Sequence, residues 1–429
     1  MMEFMVNAPC PCPEEAKKDR LLSKDYVLIT LSASGTSFMN FFVAAVLTLY
    51  LERIGGLRLH AGLMSTFFSI ASLVSRPLIG TLSDKFGRVR FLVVGALICA
   101  AMSALFGMTA VIPVLFIIRA FNGVGFSMHS TCAGAVAADV LPASRLNEGI
   151  GYFAMHSTIA QAVGPWIAIA IVYSDTLASY RLLFLIAAAL CLMSAAASAS
   201  ITYERKRRKA LAGQQSSAPP PVKAELSGMR NDEPLPKTFL GFEYTAYPTI
   251  AVMILLYFGI VGIMLFIPPF ARWKGFGNAG LFFAISAIGI FIARIIFGKV
   301  ADRRGADIVI IPWIAVLAVC LFALPFVGST AAFIAIGIPL GFAQGAVMPT
   351  FNAMLFQRCS PSRRGSASGS FFAAIDIGFA IGAPMLGAIA DARDFGYIFW
   401  VGAIFVALSL VLYLLISSDK KYNAKRKSI

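Results

Sequence analysis

Residues 76–87 read RPLIGTLSDKFG and residues 294–305 read RIIFGKVADRRG, so one pattern occurs twice in the chain at an offset of 218 residues. Further along, Pro142 recurs as Pro361, and Pro165 recurs as Pro384, both at an offset of 219 residues. A drift of one residue over this distance indicates an internal duplication. The sequence therefore predicts two similar halves, each with this pattern at the same place.

The composition around the repeat is that of a membrane protein. Of the 429 residues, 59% are hydrophobic and 13% are charged, whereas soluble domains carry about 25% charged residues. These figures exclude a soluble domain, a collagen-like or disordered chain and a nucleic-acid-binding domain. Unbroken apolar runs also differ from the short alternating strands of a membrane β-barrel. Twelve apolar blocks are long enough to cross a hydrocarbon core of about 30 Å, at approximately 26–51, 61–82, 91–110, 113–138, 147–173, 181–201, 246–270, 279–300, 306–327, 330–356, 365–390 and 395–416.

The positions of Lys and Arg predict the orientation in the membrane. Of the 36 Lys and Arg residues, 27 fall in the two tails and in alternate loops, six fall in the opposite loops, and three lie inside helices. Cytoplasmic loops carry the excess of basic residues. We therefore expect a multi-pass protein of the cell (inner) membrane with both termini in the cytoplasm. The net charge of +15 then needs no nucleic-acid partner.

The apolar blocks divide the chain into five parts. We expect a cytoplasmic N-tail at 1–25, a six-helix bundle at 26–201, a cytoplasmic linker at 202–245, a second six-helix bundle at 246–416 and a cytoplasmic C-tail at 417–429. The polar N-tail lacks the apolar core of a cleaved signal. The basic run at 205–209 favours contact with anionic lipid, or alternatively a regulatory site. Duplicated helix bundles are typical of secondary transporters, whose site lies near the midplane between the halves.

The loop between the second and third helices contains Gly80, Leu82, Asp84, Lys85, Gly87, Arg88 and Arg90. This spacing resembles the loop signature of the major facilitator superfamily, in its bacterial twelve-helix drug-exporter-like (drug:proton antiporter) branch. The stretch from Gly298 to Gly305 is a weaker copy, and Arg119-x-x-Asn122-Gly123-x-Gly125 resembles a second motif in the fourth helix. The stretch 139–152, DVLPASRLNEGIGY, is similar to exporter-like members. The resemblance implies the major facilitator fold, which is all-α with two pseudosymmetric six-helix bundles.

The antiporter motif of proton-driven exporters has two partial matches. Gly164-Pro165 in the fifth helix resembles it, although Ala160 stands where the motif has a glycine. The eleventh helix contains Gly378-x-x-x-Gly382-Ala-Pro384. The resemblance implies exchange of a small compound for protons.

The resemblance also implies a conformational latch that holds the outward-facing state. In it Asp84 faces the start of the eleventh helix, and Arg88 bridges Asp84 to Asp139, with Gly80 and Gly87 allowing close packing and a tight turn. A loop of basic residues with turn glycines is the alternative interpretation. The corresponding residues of the second half are Gly298, Asp302, Arg303 and Gly305.

Charged and titratable side chains inside the blocks are candidates for proton coupling, since a buried charge is costly in a bilayer. Asp376 is the only acid deep within any block, and we predict that it carries the proton. The alternative is a permanently protonated or Arg-paired Asp that fixes helix packing. Arg119 assists proton transfer by resemblance, or else binds neighbouring carbonyl groups. His156 is either a proton carrier or a neutral hydrogen-bond partner.

For the other polar residues in the blocks, the sequence predicts less specific roles. Arg76 and Arg294 lie near the cytoplasmic ends of their helices, and their long stems favour anchoring at the membrane surface. Uncharged polar residues at mid-depth either bond neighbouring helices or line a substrate cavity; these candidates are Asn40, Gln161, Gln344 and Asn352.

The sequence contains few features of an enzyme. It has no Walker glycine-lysine loop, so we expect no ATP use. Cys10 and Cys12 form the only close cysteine pair, without a second pair or a His nearby, and we expect no metal and no cofactor.

We expect a secondary transporter that works by alternating access and exports a small, partly apolar compound by proton antiport. A proton-coupled importer of a nutrient and a non-transporting sensor or scaffold are the alternatives, and a monomer is expected by family resemblance.

Overall fold

The computed structural model describes residues 22–142, 146–204, 238–239, 242–243, 246–277, 279–358 and 364–418. Within these ranges the side chains of residues 84, 146–148, 238–239, 242–243, 298–299, 302–303, 356–358, 364–368 and 418 are left undescribed. Twelve described helices are long and apolar enough to cross a membrane, which confirms the predicted class of multi-pass all-α protein.

The first six helices form one half of the molecule, and the last six form the other. They are α1 (Lys24–Arg53), α2 (Arg58–Phe86), α3 (Arg88–Met108), α4 (Ile112–Val140), α5 (Leu146–Ile171), α6 (Leu177–Ala199), α7 (Tyr247–Trp273), α8 (Ala279–Arg304), α9 (Asp307–Ala323), α10 (Thr330–Arg358), α11 (Arg364–Ala392) and α12 (Phe395–Ser418). A 3₁₀ turn, Leu324–Phe326, extends α9, and the linker contains a two-residue antiparallel strand pair, β1 (Thr238–Phe239) and β2 (Phe242–Glu243).

Local sequence explains where several helices begin. Ser23 caps α1 by accepting a hydrogen bond from the Tyr26 backbone N–H at 3.1 Å, and Thr176 caps α6 through the Ser179 N–H at 3.2 Å. Such caps satisfy donors that the first turn leaves free. Pro113 lies in the first turn of α4, where its missing N–H costs nothing.

The duplication is visible in the backbone as well as in the sequence. Gly87 precedes α3 with φ +103°, and Gly305 precedes α9 with φ +92°. Glycine adopts positive φ without a steric penalty, so the repeated pattern ends each time in a turn that needs this residue. The two halves are therefore built on the same plan.

The two halves meet along three seams. The helix pairs α2 and α11, α5 and α8, and α1 and α7 pack against each other across the molecule. At Gly62 of α2, an added Cβ would overlap the carbonyl oxygen of Ala383 in α11, so a side chain there would separate the helices. We call the end where Lys24 and Ser418 lie the termini end, and the other the far end.

Candidate functional site

A buried ion pair joins the two halves at the α2–α11 seam. Asp376 is 7% exposed, and its Oδ2 lies 3.2 Å from Nε of Arg76. The hydroxyl of Ser72 donates to the same oxygen at 3.2 Å, while Nη2 of Arg76 donates to that hydroxyl at 3.1 Å. Two residues of one half therefore hold the carboxylate of the other.

The expectation that Arg76 anchors α2 at the membrane surface is wrong. Arg76 lies ten residues before the end of α2 at Phe86, and Asp376 lies twelve residues after the start of α11 at Arg364. Because these helices run in opposite directions, the two charges lie at similar depth. The ring of Phe372, one turn from Asp376, lies 4.7 Å from the guanidinium and adds a cation–π contact.

Arg119 lies inside the first half, apart from the Asp376 pair. It is 3% exposed, its Nη1 donates to Oδ1 of Asn122 at 2.9 Å, and its guanidinium lies 4.2 Å from the ring centre of Phe68. Its Nε is buried without a partner among the described residues. A side-chain amide, rather than the backbone carbonyls considered above, accepts its hydrogen bond.

The two membrane-embedded histidines differ in their surroundings. His156 binds the Phe153 carbonyl of its own helix through Nδ1. His129, which sequence analysis missed, is fully buried, with Nε2 at 2.8 Å from the Ser32 hydroxyl and Nδ1 at 3.1 Å from that of Thr36. The sequence does show a polar side chain at mid-depth of α4, and this could have identified His129. Its bonds join α4 to α1, and Ser32 also bonds α6, so His129 fixes helices of one half.

A small cavity lies between the halves at the α5–α8 seam. Gln161 of α5 donates to Gln344 of α10 across it at 3.3 Å. Its lining is otherwise mostly apolar and comprises Ala162, Ile263, Met264, Phe282, Phe283, Ser286 and Ile290. The structure thus brings Gln161 and Gln344 together, whereas Asn40 and Asn352 are half-buried elsewhere on α1 and α10.

The first-half latch residues are partly described. Nη1 of Arg88 lies 2.7 Å from Oδ2 of Asp139. A Cβ added at Gly80 would meet no atom of the described residues within 4 Å. The side chain of Asp84 and those at the start of α11 lie outside the described part, and so do those of Gly298, Asp302 and Arg303 in the second half.

Residues after α6 join this cluster, which sequence analysis did not predict. Oε1 of Glu204 accepts from the Val89 N–H at 3.0 Å and so caps α3. Burial, together with the carboxylates of Asp139 and Glu204, raises the pKa of Tyr203. Oδ1 of Asp25 accepts from the Thr202 N–H at 2.9 Å. The beginning of the linker is therefore held against the termini end of the first half.

The glycines and prolines of the antiporter-type motifs lie in helix contacts. Gly164 of α5 faces Phe41 of α1. Gly378 and Gly382 of α11 face Tyr257 and Phe258 of α7. Pro165 and Pro384 lie inside α5 and α11, and the Pro384 backbone lies against α2 at Gly62.

Polar contacts also join the halves at the far end. The carboxylate of Asp391 in α11 accepts from the backbone N–H groups of Arg58 and Leu59 at 3.1 and 2.8 Å. Nη1 of Arg58 donates to the Ala390 carbonyl at 2.7 Å. At another point of the far end, Arg272 of α7 forms an ion pair of 3.1 Å with Asp175 of the α5–α6 loop. These contacts join the two halves at the far end.

Metal-ligating side chains do not cluster in the part of the chain that the structure describes, where no group of three or more His, Cys, Asp or Glu is found. Cys10 and Cys12 lie outside that part.

Comparison with known proteins gives consistent results. The model of a family described as Major Facilitator Superfamily matches residues 27–330 and 273–428. The chain is 22% identical to the staphylopine export protein of Staphylococcus aureus strain Mu50, over 91% of this chain and 94% of that protein. It is 24% identical to the quinolone resistance protein NorA of Staphylococcus aureus strain MRSA252, over 90% of this chain and 94% of that protein.

Two solved structures share the fold. The nucleoside transporter NupG superposes with a TM-score of 0.67 at 15% identity, over 93% of this chain and all of that one. A POT family transporter in complex with a thioalcohol-conjugated peptide gives a TM-score of 0.68 at 12% identity, over 91% of this chain and 95% of that one. At these identities the likeness concerns the fold alone.

Proposed function

Because the chain belongs to the Major Facilitator Superfamily, whose members transport small molecules, we propose that it exports a small, partly apolar compound in exchange for protons. The Arg76–Asp376 pair carries this proposal. The pair is buried, it includes an acid at mid-depth, and it spans the surface along which the halves must move. The similarity to two proteins named for export and for drug resistance supports the outward direction.

The geometry suggests how proton binding and movement are coupled. While Asp376 is ionised, Arg76 and Ser72 hold it and the α2–α11 seam stays closed. A proton on Asp376 removes its charge, so the attraction between the halves weakens. Because Asp391 and Arg272 join the halves at the far end, we propose that this end is closed here, that it faces outward and that protonation promotes its opening. The basic termini end then faces the cytoplasm, in the inner membrane.

Proteoliposomes test this mechanism. Pyranine inside the vesicles reports lumenal pH, while compounds from a panel that includes quinolones are added under an imposed pH gradient. For the wild type we expect compound-induced proton flux opposite in direction to compound movement. Asp376→Asn should abolish that flux, because an amide cannot exchange protons. Asp394→Asn, which changes an exposed residue at the far end, is the matched control.

The direction of the flux decides between mechanisms. Protons and compound moving in the same direction would identify a symporter. Full proton coupling in a well-folded Asp376→Asn protein would rule out Asp376 as the coupling residue.

A further inference from the structure

The α5–α8 seam repeats the α2–α11 seam with its acid missing. Arg294 of α8 corresponds to Arg76 of α2 at the offset of 218 residues. Asp376 lies eight residues before Pro384, and the residue eight before Pro165 is Ser157. In the second seam, therefore, the arginine is kept while a serine replaces the carboxylate that neutralises it in the first.

Arg294 lacks the partners that Arg76 has. Among the described residues its buried Nε has no hydrogen-bond partner, and no acidic side chain there contacts its guanidinium. Its electrostatic neighbour is the buried Tyr257 of α7. An unneutralised guanidinium at this place is costly in a membrane protein, and its geometry suits a carboxylate, which it can bind through two parallel hydrogen bonds.

The position of Arg294 connects it to the cavity between the halves. Ser286 and Ile290 of α8 line that cavity, and Arg294 follows Ile290 by four residues, which places it on the same side of the helix one turn nearer the termini end. Arg119 also has an unpartnered Nε. It is packed within the first half against Asn122 and Phe68, so it is less suited to meet a compound between the halves.

We infer that Arg294 binds a carboxylate of the transported compound, while the apolar part of that compound lies against the Phe and Met side chains that line the cavity when the halves separate there. This inference rests on the proposed transport function and names its substrate class, organic anions with an apolar body. The compound supplies at the α5–α8 seam the negative charge that Asp376 supplies at the α2–α11 seam. Binding then neutralises the second seam as the ion pair neutralises the first.

Matched acids and amides test this inference on the purified full-length protein in detergent. The probes are dansylglycine with dansylglycinamide, and indole-3-acetate with indole-3-acetamide, measured by fluorescence and thermal shift at constant ionic strength. The wild type should bind at least one acid about tenfold more tightly than its amide. Arg294→Gln should abolish this preference and keep its affinity for the amide, which also shows that it is folded. Arg294→Lys should keep part of the preference, and Arg304→Gln, at the exposed end of α8, should keep all of it.

A second variant restores the missing acid. Ser157→Asp should raise the unfolding temperature without ligand and weaken binding of the acids, because the duplication predicts that residue 157 corresponds to Asp376 and can pair with Arg294 as Asp376 pairs with Arg76. The inference is wrong if no acid binds more tightly than its amide, if Arg294→Gln retains the preference, or if Ser157→Asp leaves acid binding unchanged. These measurements need no pH gradient. A protein that prefers acids but shows no proton flux would therefore refute the proposed coupling and leave this inference standing.

Discussion

Arg76 and Asp376 stabilise the fold only as a pair. Each is a charged group taken out of water, and removing one partner leaves the other buried and uncompensated, at a cost of about 3–5 kcal/mol. Replacing both side chains with neutral ones removes the cost of burying the charges together with the attraction between them. The pair therefore lends itself to a double-mutant cycle, which separates the interaction between the two side chains from the burial of each.

We predict that Arg76→Gln markedly lowers the unfolding temperature of the detergent-purified protein and that Arg76→Gln with Asp376→Asn largely restores it. The loss in the single variant should be smaller at about pH 5 than at about pH 8, because a protonated carboxyl needs no cation beside it. Thermal unfolding at both pH values measures this. Equal losses for the single and double variants would show that the two side chains do not interact.

The first turn of α2 is capped by a residue from the other half. Asp391 lies 333 residues from Arg58 in the chain, yet it accepts the N–H groups of the first two residues of the helix. A carboxylate there also interacts favourably with the helix dipole. When the far end opens, α2 loses this cap, so the cap stabilises the closed arrangement. The ion pair of Arg272 with Asp175 is half-exposed and contributes less.

We predict that Asp391→Ala opens the far end more often. Loss of a helix cap costs about 1 kcal/mol, or about a fivefold shift in the equilibrium. A Thr66→Cys reporter on α2 lies in the seam, where Thr66 donates to the Ala380 carbonyl, and its maleimide labelling should speed up by that factor. Cys10, Cys12 and Cys359 are replaced by Ser for this assay. Asp394→Ala serves as the control, and equal labelling rates in both variants would contradict the prediction.

For the whole molecule, the sequence predicts the fold well because the bilayer constrains it strongly. The apolar blocks give twelve helices with ends within four residues of those observed, and the duplicated pattern around Gly87 and Gly305 gives the two halves. The candidate site is less predictable. Asp376 stands out as a lone deep acid, but its partner Arg76 becomes evident only when the depths of two antiparallel helices are compared. The contact of Asp391 with α2 depends on packing between residues too distant in sequence for any local pattern to show.

We predict that the termini end faces the cytoplasm. The excess of Lys and Arg on this side opposes its translocation. Green fluorescent protein fused after Ile429 should therefore fluoresce in a bacterial host, and alkaline phosphatase fused at the same place should be inactive. The reverse result would invert the orientation of every loop, and with it the proposed outward position of the far end.

The far end carries a surface that neither half possesses alone. Glu52 and Arg58 come from the first half and Asp391 comes from the second, and the Arg58 guanidinium lies 2.8 Å from Glu52 and 4.1 Å from the ring centre of the buried Phe395. These residues form a composite epitope that exists only while the halves are closed there. A nanobody selected against it would report one conformation by binding, and by holding the epitope together it would act as an inhibitor from outside the cell, without entering the substrate path.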